Sequence, residues 1–390
     1  MKKNNIDVSL NGYVNSFLGD WSPNGYIFNK IKSTNDLTFT DKFSNQDRII
    51  IEKIFDTVQR INKNEKPRKF DFLPKGFEDK EASKLEEGLF WRYLVYRYRY
   101  NINPYAHLIE EYPPCVQIEP TSICNFRCVM CYQADKSFSN KSNGYMGYMP
   151  LENFKKIIDE LEGKVEAITL ASRGEPLLHP DIKEMITYVG KKFLGFKINT
   201  NASLLTEDLS HTILQSGLQT LVFSIDAADK ESYEKIRVNG NFDKVLANVI
   251  KFNEIKEKFY PESNLITKIS GVYISDEMQS YEDMVSFWKN KADEVAFVHY
   301  LPWESSYSNK INNQTSPCSD LWRRMFIWHD GKVNPCDYDY KTLIFGNQQP
   351  TYPENRISDI WNSEQYNNLR EQHLLNLRGK VEPCKRCVSI

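Results

Sequence analysis

Between residues 116 and 300 the sequence alternates between strand-like and helix-like segments, which leaves few folds open to it. Short runs of β-branched residues recur with amphipathic stretches between them, an order typical of βα units around a parallel sheet. The predicted strands are 116–119, 165–171, 195–200, 220–226, 266–274 and 294–300, and the predicted helices are 151–161, 180–193, 206–216, 242–258 and 278–290. This pattern predicts an α/β fold, a partial (β/α)6 TIM-like barrel, with its chemistry at the C-terminal strand ends.

The segments on either side of this alternation lack the pattern, so we divide the chain into three domains. Residues 1–110 are predicted to be an N-terminal extension, residues 111–305 the barrel, and residues 306–390 a small C-terminal domain. Hydrophobic residues make up 41 % of the 390 residues, which is enough for a sizeable core. Within the extension, the aromatic and arginine-rich stretch 90–100 predicts a helix with packed rings and solvated arginines.

Charge and hydropathy exclude some classes of partner. The 50 Lys and Arg residues nearly balance the 52 Asp and Glu residues, so no net charge attracts nucleic acid or an anionic membrane. No apolar run is long enough to span a bilayer, and the first residues lack the apolar core of a secretion signal. The sequence therefore predicts a cytoplasmic protein with no nucleic-acid partner and no membrane partner.

Three cysteines directly follow the first predicted strand. Cys124, Cys128 and Cys131 have CxxxCxxC spacing, and in a reducing compartment such grouping favours metal ligation over disulfides. A [4Fe–4S] cluster needs four ligands, so three thiolates on one loop suit it and leave one iron open to a non-protein ligand. A structural zinc site, which normally takes four protein ligands or three and a water, is the alternative.

Four more cysteines lie near the C-terminus: Cys318, Cys336, Cys384 and Cys387. Four thiolates are the number that completes a tetrahedral or a cubane site. The sequence therefore predicts either an auxiliary [4Fe–4S] cluster, which would make this a small iron–sulfur domain, or a zinc ribbon with the same ligands. Cys115 stands apart and is predicted to be a buried thiol without a ligand role.

The segment EPTSICNFRCVMCYQ (119–133) resembles the signature of the radical S-adenosylmethionine (radical SAM) superfamily, and the resemblance extends over about 120–300. It implies that the three cysteines hold a [4Fe–4S] cluster whose open iron binds S-adenosylmethionine (SAM). One-electron reduction would then give a 5′-deoxyadenosyl radical that abstracts hydrogen, with flavodoxin or ferredoxin as the electron donor. Residues 318–340 resemble the SPASM extension of such enzymes, with fewer cysteines than a full SPASM domain, which implies one auxiliary [4Fe–4S] cluster.

The same resemblance implies SAM-binding residues at the ends of the later strands. SRGEP (172–176) is similar to the family's GGEP segment, with Arg173 in place of the first glycine and free to face the substrate. The residues carried over are Gly174, Glu175, Asn199, Ser224, Asp226, Arg237 and Val272. Several of these residues could have a structural role instead of binding SAM. The Asn could cap a helix, the Ser could form a hydrogen bond to the backbone, the Arg could lie at the surface, and the Val could pack in the core.

The reaction is predicted from the second set of cysteines. A fully ligated auxiliary cluster can accept an electron, so the leading hypothesis is a two-electron dehydrogenation of a small metabolite such as a sugar or a nucleotide-linked sugar. His299 and Glu304 are the candidate catalytic residues that take the released proton, with a surface or core role as the alternative. Other hypotheses are a ribosomal peptide maturase, an epimerase that uses Cys115, and a non-enzymatic zinc or iron–sulfur protein.

Overall fold

The computed structural model describes residues 13–14, 21–34, 36–86 and 88–388, without the side chains of Tyr13, Val14 and His299. The chain divides into two compact units, one spanning Phe17–Glu110 and the other spanning Glu111–Ile390 together with the strand Tyr13–Val14. No helix among the described residues has the length and apolar character needed to cross a membrane.

The strands of the described chain are β1 (Tyr13–Val14), β2 (Cys115–Ile118), β3 (Ala167–Leu170), β4 (Gly195–Thr200), β5 (Thr220–Ser224), β6 (Ile266–Tyr273), β7 (Glu294–His299), β8 (Arg324–Ile327) and β9 (Val333–Asn334). The helices are α1 (Tyr26–Lys32), α2 (Asn45–Asn62), α3 (Gly76–Ser83), α4 (Phe90–Ala106), α5 (Lys136–Ser139), α6 (Leu151–Leu161), α7 (Ile182–Val189), α8 (Glu207–Gln215), α9 (Lys230–Ile236), α10 (Phe242–Phe259), α11 (Tyr281–Trp288), α12 (Ile357–Trp361) and α13 (Glu364–Leu374). Short 3₁₀ turns join several of them.

The strands form one sheet in the order β1-β7-β6-β5-β4-β3-β2-β8-β9. The six strands predicted between 116 and 300 are β2 to β7; they pair in parallel in sequence order, so the predicted α/β barrel is confirmed. Their apolar side chains are buried against α6, α7, α8 and α10, and Ile168 and Phe196 are 0 % exposed. The loops that carry the candidate site residues therefore meet at the C-terminal edge of this sheet.

Helices α7 and α9, both between strands of the barrel, differ from the prediction. The segment predicted as 180–193 is helical only from Ile182 to Val189, because Gly190 has a φ of +51° and ends the helix there. Helix α9, between β5 and α10, was not predicted; it begins at an Asp229 side chain that accepts a hydrogen bond from Ser232 N.

The sheet continues into the C-terminal segment. β8 pairs in parallel with β2, from Cys115 opposite Arg324 to Ile118 opposite Ile327, and β9 pairs antiparallel with β8. The ends of β2 and β8 are therefore neighbours, which places the residues after Ile327 beside the loop that follows β2.

The unit Phe17–Glu110 is helical. The helix predicted at 90–100 is present as α4, but the prediction of solvated arginines is wrong for Arg97. Its guanidinium is buried and lies 2.5 Å from Glu78 Oε1, and the Glu78 carboxylate also accepts hydrogen bonds from Asn101 Nδ2 and Lys75 N. Because the carboxylate is itself buried and held by α3, Arg97 is drawn inward instead of facing solvent.

Candidate functional site

The loop from residue 124 to residue 131, called the cysteine loop below, follows β2 and holds its three sulfur atoms as hydrogen-bond acceptors. Phe126 N donates to Cys124 Sγ at 3.4 Å, Gln133 N donates to Cys131 Sγ at 3.5 Å, and Arg237 Nη1 donates to Cys128 Sγ at 3.9 Å. Such donors stabilise the thiolate, which is the form that binds metal, and they tune iron–sulfur clusters.

Burial raises the pKa of each of these thiols. For Cys124 the pKa rises to about 12, first because the thiol is buried and then because Glu175 and Cys128 add negative charge nearby. The pKa values of Cys128 and Cys131 are raised mainly by burial as well. Clustered thiolates that are buried or partly buried require a compensating cation, so the donor set fits an iron–sulfur cluster.

The geometry also bears on a single-ion site. Nowhere in the described part of the chain do three His, Cys, Asp or Glu side chains converge on one point as the ligands of a single ion would. The thiolates of a cubane bind different iron atoms, so the cysteine loop need not converge in that way.

Glu175 lies at the C-terminal edge of the sheet, after β3, and its carboxylate is buried. It accepts hydrogen bonds from Leu177 N at 3.0 Å, Thr200 Oγ1 at 2.7 Å and Asn201 N at 2.7 Å. Burial raises the pKa of this carboxyl group, although the three hydrogen bonds act in the opposite direction. Glu175 N also donates to Ile123 O at 2.9 Å, so its segment is tied to the chain just before Cys124.

Gly174 lies against the backbone that leads into the cysteine loop. A Cβ atom on Gly174 would lie 2.2 Å from Thr121 O and 2.6 Å from Ile123 O. Only glycine fits this approach, which accounts for the glycine of the predicted motif by packing alone.

We expect Gly174→Ala to destabilise the protein by about 1–3 kcal/mol, because backbone atoms must move to admit the methyl group. The free energy of unfolding in urea measures this. Gly379→Ala is the matched control, since no atom lies within 4 Å of the Cβ position there. Equal stability of the two variants would contradict the close approach.

The segment after β4 is tied to the cysteine loop by amides. Asn201 Nδ2 donates to Asn125 Oδ1 at 2.9 Å, and Asn125 Nδ2 donates to Ser203 Oγ at 2.9 Å. The predicted residue Asn199 precedes them in β4, and within the described chain its buried Oδ1 has no hydrogen-bond partner. Asn199 therefore offers an unused acceptor two residues before Asn201.

Asp226 and Arg237 form a buried ion pair, with Arg237 Nε 2.6 Å from Asp226 Oδ2. Arg237 is only 7 % exposed, so it is not a surface residue, and the pairing of Arg127 N with Val238 O at 2.9 Å holds it beside Cys128. Burial acts to lower the pKa of Arg237, but the charges of Asp226 and Cys128 outweigh it and raise the pKa.

The other predicted residues of this edge lie on β5 and β6. Val272 N donates to Asp226 Oδ1 at 2.7 Å, and the partly buried Val272 side chain packs on the hydrophobic core. Ser224, at the end of β5, is partly buried and lies opposite Ser270 of β6.

The two candidate catalytic residues lie at and after the end of β7. His299 is the last residue of β7, and its side chain lies outside the described residues. Glu304 accepts a hydrogen bond from Tyr300 OH through Oε1, and its buried Oε2 has no hydrogen-bond partner in the described chain. Trp303 stacks on Tyr132, with ring centroids 6.0 Å apart and planes 8° apart, so this turn lies against the residue that follows Cys131.

The four C-terminal cysteines lie close enough for their charges to interact. Burial raises the pKa of Cys336, and the charges of the other three raise it further. The pKa of Cys318 is raised to about 12, again by burial first and then by Asp320 and Cys387. The buried Arg378 donates to Cys387 O at 2.8 Å and to Cys384 O at 3.4 Å, which holds the CxxC turn.

Residues 118–283 match the radical SAM superfamily, and residues 318–388 match the SPASM iron–sulfur cluster-binding domain. The AdoMet-dependent heme synthase of Methanosarcina barkeri is 32 % identical over 322 residues, which cover 70 % of this chain and 88 % of the relative. The chain belongs to the radical SAM superfamily.

A second relative of this radical SAM chain is the tungsten-containing aldehyde ferredoxin oxidoreductase cofactor-modifying protein of Pyrococcus furiosus. It is 33 % identical over 300 residues, covering 64 % of this chain and 81 % of the relative. Among solved structures, Streptococcus suis SuiB bound to the precursor peptide SuiA has a TM-score of 0.52 and 17 % identity, and 77 % of each chain is covered. This likeness shows the shared fold.

The family determines the cofactors of the radical SAM enzyme. The radical SAM domain implies SAM and a SAM-binding [4Fe–4S] cluster, and the SPASM domain implies auxiliary iron–sulfur clusters. The predicted cofactors are thereby confirmed, while the residues that bind them stay predictions supported by the geometry above.

Sequence reasoning missed one buried group at this edge of the sheet. Arg173, expected to be free to face the substrate, is 3 % exposed and makes a forked ion pair with Glu119, the residue after β2. Gln133 lies beside it and donates to Ser122 O at 2.8 Å and Arg173 O at 2.5 Å. The arginine in place of the family's glycine was the available signal, because a buried arginine needs a carboxylate.

Proposed function

We propose that this radical SAM enzyme oxidises a small metabolite, such as a sugar or a nucleotide-linked sugar, by two electrons. The observation that carries this proposal is the group of four C-terminal cysteines, Cys318, Cys336, Cys384 and Cys387, of which Cys387 is buried and the other three are partly buried. Four thiolates complete one [4Fe–4S] cluster and leave no iron open to substrate, which supports electron transfer as its role. The names of the two relatives, for heme synthesis and for cofactor modification, favour a small molecule over a peptide.

In this proposal the cysteine loop binds the cluster that holds SAM, and the edge of the sheet binds SAM itself. When bound, the SAM cluster supplies the electron that cleaves SAM, and the auxiliary cluster accepts the electron that the substrate radical gives up. The proposed SAM-binding residues are Gly174, Glu175, Asn199, Ser224, Asp226, Arg237 and Val272. Asp226 acts mainly by holding Arg237, because its two carboxylate oxygens already face Arg237 and Val272 N.

Glu304 is the proposed acceptor of the proton that leaves with the second electron, and His299 is the second candidate. The Tyr300 hydroxyl holds Glu304 Oε1, which leaves Oε2 as the basic atom. Burial raises the pKa of Tyr300, and Glu304 raises it further, so Tyr300 stays protonated and keeps donating. With these groups bound, the substrate would lose one hydrogen atom to the 5′-deoxyadenosyl radical and one electron to the auxiliary cluster, and Glu304 would take the proton.

The test is turnover of anaerobically reconstituted protein with SAM and a reductant. The reductant is dithionite or one of the two proposed electron donors, flavodoxin or ferredoxin. We expect nucleotide sugars or free sugars to increase 5′-deoxyadenosine formation and to yield a product lacking two hydrogens by mass spectrometry. Turnover only with peptides would favour a maturase instead. A product of unchanged mass that takes deuterium from solvent at carbon would favour an epimerase, with Cys115 as the candidate hydrogen donor.

A further inference from the structure

Glu119 is a buried carboxylate at the point where the barrel meets the C-terminal segment. It directly follows β2, is 0 % exposed, and accepts two hydrogen bonds from one guanidinium: Arg173 Nη2 to Oε1 at 2.6 Å and Arg173 Nε to Oε2 at 2.7 Å. Arg173 N donates to Oε2 as well, at 3.1 Å. Forked pairs of this kind fix the orientation of both groups.

The same carboxylate binds the C-terminal segment. His329, two residues after β8, lies with its backbone N 3.2 Å and its Nδ1 3.0 Å from Glu119 Oε1. The guanidinium of Arg173 lies over the Trp328 ring, 4.2 Å from its centroid, and Nη1 donates to Tyr340 O at 2.9 Å. One ion pair from the barrel thus holds two separate stretches of the C-terminal segment.

Tyr340 connects this ion pair to the cysteine loop. Its ring centroid lies 5.2 Å from that of Tyr132, which follows Cys131, and its hydroxyl donates to Asp135 Oδ2 at 2.7 Å. Lys341 Nζ lies 2.6 Å from the same Asp135 oxygen. The loop 337–341, which begins right after Cys336, therefore rests on the residues that follow Cys131.

We propose that Glu119, Arg173 and the carbonyl of Tyr340 form a clamp that fixes the loop 337–341 against the residues after Cys131. Arg173 is then a positioning residue: it binds no substrate, and it acts through Tyr340 on the packing around Tyr132. Glycine at position 173, as in the family's GGEP segment, has no side chain to reach Glu119 or Tyr340, so this connection is a property of chains with arginine there.

The first test is hydrogen–deuterium exchange of the reconstituted protein. In the double variant Glu119→Gln/Arg173→Met, which removes both charges and leaves none buried alone, we expect the amides of 337–343 to exchange about tenfold faster. The amides of α6 should exchange as in wild type. Arg173→Lys should loosen the same loop, because one ammonium cannot hold both Glu119 and the Tyr340 carbonyl.

Tyr340→Phe is the matched control, because it keeps the carbonyl that Arg173 binds and loses only the hydroxyl contact to Asp135. If Tyr340→Phe loosens the loop as much as the double variant does, the side chain holds the loop and the clamp is wrong. Unchanged exchange at 337–343 in the folded double variant, or an equal increase in α6, would also overturn it.

The second test measures the electron paramagnetic resonance spectrum of the SAM cluster in the reduced protein. Groups near a cluster sulfur tune its electronic state, so Arg173→Lys and the double variant should both change the spectrum assigned to the SAM cluster. An unchanged spectrum in a variant whose loop has loosened refutes an effect of the clamp on the cluster through Tyr132, the residue after Cys131. This second test rests on the proposed function and its cluster ligands, whereas the exchange test does not. Failure of the clamp can therefore be distinguished from failure of the proposed function.

Discussion

Replacing Cys124, Cys128 and Cys131 together with alanine is expected to reduce 5′-deoxyadenosine formation by more than about 100-fold. Loss of a single outer partner of a metal ligand already costs about 10- to 100-fold, and here every protein ligand is removed. Iron content should fall from about eight to about four per chain, because a [4Fe–4S] cluster carries four irons and the C-terminal cysteines are intact.

Cys115→Ala is the matched control for this triple variant. Cys115 is also a buried cysteine, in β2, but it lies outside both groups of candidate ligands, so its iron content and 5′-deoxyadenosine formation should match wild type. Anaerobic reconstitution followed by iron and sulfide analysis, with chromatography of 5′-deoxyadenosine, measures both quantities. Full iron content in the triple variant would show that the cluster is held elsewhere.

The barrel was predictable because its signals are local. A parallel strand buried on both faces is a short apolar run, and a helix that covers it is amphipathic over a few turns, so each of β2 to β7 leaves its own mark in the sequence. The cysteine loop was predictable for the same reason, since its three candidate ligands lie within eight consecutive residues (124–131).

Contacts between distant segments were not predictable. The run Arg324–Ile327 lies outside the βα alternation, and it forms β8 because β2, some 200 residues earlier, supplies its hydrogen-bond partners. Arg173 was placed wrongly because its partners Glu119 and Tyr340 lie 54 and 167 residues away. An arginine in place of the family's glycine signals a buried charge that needs a carboxylate, but the residues next to Arg173 do not reveal which partners it has.

The C-terminal cysteines can be separated from SAM cleavage by the variant Cys384→Ala/Cys387→Ala. We expect about four irons to be lost from about eight, while 5′-deoxyadenosine still forms, because the cysteine loop keeps its own ligands. Oxidised product should fall by more than about 100-fold, since the substrate radical then has no acceptor for its electron and is converted back to substrate by one electron from the added reductant and one proton from solvent.

The ratio of oxidised product to 5′-deoxyadenosine distinguishes an auxiliary [4Fe–4S] cluster from a zinc ribbon at the C-terminal cysteines. Wild type should give a ratio near one, and the double variant a ratio near zero with an unchanged rate of SAM cleavage. If the variant loses zinc instead of iron and keeps its ratio, the C-terminal cysteines form a zinc ribbon and the argument for oxidation fails.

Because both cysteines lie in the turn held by Arg378, Arg378→Lys is a milder control that disturbs the same turn without removing a thiolate. A ratio that stays near one in Arg378→Lys and collapses in the double variant assigns the electron acceptor to the thiolates themselves, independently of the fold around them.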